Sequence, residues 1–148
     1  MRRVRHVVAA GAVAIGAVAA GDASPASADH RFRVTGAVLL GRNEAQPGDP
    51  DGFGAAGVTV HPDRGTLCYF VSAARIAPAT LAHIHKAPAG TNGPVVVDFQ
   101  APTDGFSAEC LSNIDTALLR DIAHNPGEYY VNVHNDEFRG GAIRGQLR

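Results

Sequence analysis

From residue 32 onward, apolar and polar side chains alternate with a period of two, and Gly or Pro interrupts the alternation about every ten residues. That rhythm belongs to short antiparallel strands. It predicts strands over residues 32–40, 57–61, 66–74, 81–85, 95–99, 105–110, 129–134 and 142–147. Between the first two, residues 41–54 carry four Gly, two Pro and three acids and predict a long irregular loop. Pro62, Asp63, Arg64 and Gly65 suit the successive positions of a turn joining residues 57–61 to 66–74. One stretch departs from the rhythm. Ile114, Leu118 and Ile122 recur every four residues with Leu119 beside them, which predicts a helix over 113–124. Ser112-Asn113-Ile114-Asp115 fits a capping box at its start, and Asn125-Pro126-Gly127 stops it. The fold expected is all-β: an antiparallel Greek-key-like β-sandwich of about eight strands, with one short helix between the sixth and seventh.

The first 28 residues have a different character. Arg2, Arg3 and Arg5 precede an uncharged run of Ala, Val, Ile and Gly from Val7 to Ala20, and Ala26-Ser27-Ala28 supplies small residues at a cleavage site. The run of 14 residues would reach about 21 Å as a helix, short of a hydrocarbon core of roughly 30 Å. Residues 1–28 therefore read as a signal peptide, with a mature domain at 29–148 starting at Asp29 and no membrane span in the mature form. Removing them leaves 10 basic against 13 acidic residues, a mildly acidic surface that excludes a polybasic nucleic-acid binder. Export to an oxidising compartment also gives Cys68 and Cys110, the only two cysteines, a role as one disulfide. Such a bridge would pin opposing sheets and restrict the unfolded chain by roughly 4 kcal/mol; the alternative is a pair of buried free thiols.

Candidate chemistry concentrates in the histidines. In His83-Ile84-His85 the strand period puts both imidazoles on one face, and in residues 129–134 it puts Tyr130, Asn132 and His134 opposite the apolar Tyr129, Val131 and Val133. Arg144 and Gln146 fall on the outward face of the last strand. If these faces adjoin, His83, His85 and His134 offer three neutral nitrogens to copper or zinc, with Asn132 and Gln146 as orienting partners. The alternative is three structural histidines hydrogen-bonded to the Gly-rich loops beside them. Glu44, Asp49 and Asp51 are acids of the long loop, read either as solvated or as calcium ligands. No Gly-x-Ser-x-Gly elbow, Walker loop or dinucleotide fingerprint is present, so no catalytic activity is assignable.

His83-Ile84-His85, the run Gly90-Thr91-Asn92-Gly93-Pro94-Val95-Val96-Val97, Asn125-Pro126, Tyr129 through His134, and Gly140 through Leu147 together resemble the CHRD domain, the repeat named after chordin. Asn43-Glu44, Pro47, Gly57 and Gly65-Thr66-Leu67-Cys68-Tyr69 are similar to its N-terminal half, so the resemblance spans nearly the whole mature chain. Lys86-Ala87-Pro88 stands where that family has a Gly, and Arg139 where a Pro precedes the paired glycines. The resemblance implies a small exported protein of bacterial type, secreted or otherwise extracytoplasmic. It would act as a binding or structural module, recognising an extracellular protein or surface ligand. A looser similarity to copper-zinc superoxide dismutase, a Greek-key sandwich with a His-x-His strand, supports the alternative of a copper- or zinc-binding protein of that architecture.

Overall fold

A computed structural model describes residues 32–148. The expected signal peptide and the mature start at Asp29 lie outside the described residues. Eight strands appear: β1 (Arg33–Leu40), β2 (Phe53–His61), β3 (Thr66–Ala74), β4 (Ala79–Lys86), β5 (Val95–Phe99), β6 (Phe106–Leu111), β7 (Tyr129–Asn135) and β8 (Ile143–Gln146). Among the described residues one α-helix, α1 (Thr116–His124), falls between β6 and β7.

The strands form one antiparallel sheet in the order β5-β4-β7-β8-β1-β2-β3-β6. It curls until its two edges meet. Ser107 Oγ on β6 donates to Gln100 O just past β5 at 2.7 Å, the Gln100 amide donates to the Tyr69 hydroxyl at 2.8 Å, and Tyr69 stacks on Phe99 at 3.7 Å. The result is a nearly closed, barrel-like sandwich. Its interior is lined by every second residue of each strand, among them Leu39, Val58, Leu67, Ile84, Val131 and Ile143, all essentially inaccessible to water.

Three local differences from the sequence reading have physical causes. β2 begins at Phe53 rather than 57, because Phe53 pairs with both Leu40 and Ala74, and of the glycines read as loop Gly54 lies within the sheet. At Gly54 a Cβ would stand 2.0 Å from Ser72 O, so glycine marks a close strand approach rather than a turn. The helix starts at Thr116 rather than 113, and the capping box does not form. Asn113 takes a left-handed φ of 62°, the Ile114 amide bonds Gly65 O at 3.0 Å, and Asp115 itself caps the helix by accepting from Ala117 N at 2.8 Å. Finally, the Cys68–Cys110 disulfide joins residues paired directly across neighbouring β3 and β6, not opposing sheets.

Candidate functional site

Strand register assembles the site. β4, β7 and β8 are neighbours, and their non-core positions align in rows across the sheet. One row runs Asp98, His83, Asn132, Arg144; the next runs His85, Tyr130, Gln146; Leu81 faces His134. This polar layer is covered rather than solvated. β7 is buried along its whole length, because the connections after β4 and β7 fold back over it.

Those connections fix the imidazoles. His85 Nδ1 lies 2.9 Å from Gly93 O, and His134 Nδ1 lies 2.9 Å from Arg139 O. A carbonyl oxygen only accepts, so both Nδ1 atoms carry the proton and both Nε2 atoms are left as lone pairs. His134 Nε2 sits 3.3 Å from His83 Nδ1, and His85 Nε2 is buried with no partner. On its far side His83 Nε2 faces the exposed Asp98 carboxylate at 3.6 Å. Burial holds all three histidines below the ordinary imidazole pKa. Asp98 partly opposes this at His83, as the backbone carbonyls do at His85 and His134, while His83 and Arg144 add to it at His85, and His83 and His85 at His134. The three rings are neutral at physiological pH.

Among the described residues, His83, His85 and His134 form the one group of three or more metal-ligating side chains, with ligand atoms within 4.8 Å of one another. A tetrahedral ion with bonds of about 2.1 Å needs its ligands about 3.4 Å apart; the His83–His134 pair already has that spacing, and since all three ligand atoms lie within 4.8 Å, a closure of at most about 1.4 Å completes the face. Each ring has its second nitrogen turned to an oxygen, the usual outer support of a metal-binding histidine. Three imidazoles without thiolate suit copper or zinc and leave a fourth position open.

The expected orienting partners are different residues. Asn132 donates to Glu44 Oε1, and Gln146 Nε2 to the carbonyls of Ala87 and Gly127, so neither supports a histidine. Loop carbonyls and Asp98 do so instead. Asp98 was open to detection as the lone acid in an apolar strand; the carbonyls carry no side-chain signature. The loop acids do not converge on a calcium site. Asp49 is turned inward to accept from the amides of Asp51 and Gly52, while Glu44 reaches the opposite way to Asn132. Glu44 lies across Gly141, whose φ is 139° and where a Cβ would come within 2.4 Å of its carboxylate, so this glycine clears room for Glu44 while Gly140 clears room for Gln46.

The CHRD domain family model matches residues 35–147, from β1 to the residue after β8. The chain belongs to the CHRD family. No curated protein and no solved structure matches it. Membership makes this CHRD domain a binding or structural module, and the disulfide fits the extracellular setting of the family. Among the described residues no helix is long and apolar enough to cross a membrane.

Proposed function

We propose that this CHRD domain is an exported module that binds a transition metal ion, copper or zinc, on His83, His85 and His134. One observation carries the reading: two imidazoles fixed by loop carbonyls aim Nε2 lone pairs, one of them buried and partnerless, toward a third imidazole. A purely structural histidine would use that nitrogen. Leaving a buried polar atom unsatisfied costs about 1–3 kcal/mol, a cost that coordination removes.

Isothermal titration of the metal-free protein with Cu²⁺ and Zn²⁺ tests the reading. Saturation at one ion per chain is expected, with Cu²⁺ tighter than Zn²⁺. His85→Ala should weaken binding by more than about 100-fold, since losing even an outer supporting group costs 10- to 100-fold. His124→Ala on α1, away from the site, should leave affinity unchanged. No binding, or equal binding by wild type and His85→Ala, would return the three residues to a structural role.

A further inference from the structure

Beside the histidines lies a groove of about 740 Å³, walled by β1, the short turn after it (Gly41–Asn43), and β8. Arg144, Glu44 and Gln146 line it, with Arg42 and Arg148 adding positive charge. Arg144 is the buried charge of this region. It stacks on the Tyr130 ring with Cζ 3.3 Å from the centroid, and its two hydrogen bonds go to neutral acceptors, Pro88 O at 3.0 Å and Asn92 Oδ1 at 3.4 Å. A guanidinium has five N–H donors. Among the described residues no carboxylate comes within ion-pair distance of it. The nearby acid, Glu44, is engaged by Asn132, and burial pushes its pKa up to about 7 against the pull of Arg144. On the same wall Gln146 keeps a buried Oε1 with no donor.

We propose that this groove is a carboxylate-binding site in which the ligand's oxygens pair with Arg144. Among the described residues Arg144 has no direct ion-pair partner, only the longer-range pull of Glu44, and a cation so placed at the wall of an open groove can be paired by a guest. The charge balance selects the guest. An ionised Glu44 opposes any anion here and a dianion such as phosphate more than a monoanion, and a planar carboxylate fits the guanidinium fork. The charged groups facing the groove are Arg144 from β8, Arg42 and Glu44 from the segment after β1, and Arg148 after β8; Asn132 of β7 is neutral. The site is separate from the metal reading and is tested on metal-free protein, so that coordination of the probe to an ion cannot imitate it.

Metal-free, ¹⁵N-labelled protein is titrated at pH 8 and constant ionic strength with sodium acetate and, separately, sodium phosphate. The Arg144 Nε–H and the amides of Ala89 and Gly90 are followed by NMR. Saturable shifts with acetate at about millimolar concentration are expected, and weaker binding of phosphate. Glu44→Gln keeps an oxygen for Asn132 but removes the competing charge, so it should tighten acetate binding about tenfold. Arg144→Lys should weaken it about tenfold through loss of the fork. Should Arg144→Lys fail to fold, Glu44→Gln decides alone. Linear, unsaturating shifts, phosphate binding as tight as acetate, or no effect of Glu44→Gln would overturn the proposal.

Discussion

Glu44 is a carboxyl group whose ionisation the fold opposes, because burial raises its pKa from 4.5 to about 7. Between those values the folded chain holds a proton that the unfolded chain has released, so protonation stabilises the fold. That contribution is fully present below about pH 4.5 and is lost as pH rises through 7. The three histidines act in the opposite sense: their depressed pKa values favour the fold above the ordinary imidazole range and cost stability as pH falls below it. A single melting curve mixes the two. Subtracting wild type from Glu44→Gln isolates the first: the variant should gain about 1–2 kcal/mol at pH 8 after allowance for solvent screening, and nothing at about pH 3.5, read by urea denaturation at both.

At the scale of elements, α1 packs Leu119 and Ile122 into the core, and its polar tie to β4 and β7 runs through Asp121. Asp121 accepts from Lys86 Nζ on β4 at 2.5 Å, from the Tyr129 hydroxyl on β7 at 2.5 Å and from Asn125 Nδ2 at 2.8 Å, and these donors hold its pKa well below the usual carboxylate range. Asp121→Ala leaves the hydroxyl of the buried Tyr129 without its acceptor and should cost about 1–3 kcal/mol in denaturant unfolding, with affinity for metal unchanged. The strands themselves were legible. Thr66–Ala74 and Val95–Phe99 match their expected bounds at both ends, as a continuous strand-forming run between Gly, Pro and turn residues makes them legible. The start of α1 was not legible, because Ile114 continues the apolar stripe while serving the β2–β3 turn instead of the helix. In the site, the shared face of His83 and His85 was legible from the period of two. The pairing of β4 with β7, which adds His134, arises from contacts distant in sequence that no local pattern encodes. The same holds for Glu44, whose loop has no periodicity to say that it reaches β7.

Across the whole molecule, the disulfide and the histidines occupy separate parts of the sheet, Cys68 and Cys110 on β3 and β6, the imidazoles on β4 and β7. Replacing both cysteines by Ala should therefore lower unfolding free energy by about 2–4 kcal/mol while metal titration gives the wild-type affinity, a contrast checked by measuring both on one sample. The chain contains no Trp and three Tyr, so its ultraviolet emission is tyrosine emission alone. One of the three, Tyr130, lies parallel to His85 at 4.8 Å between ring centroids. Paramagnetic Cu²⁺ on that imidazole would quench the neighbouring phenol while closed-shell Zn²⁺ would leave it bright. If the proposed site binds both ions, the stack would make the protein its own optical sensor, able to tell them apart without a label.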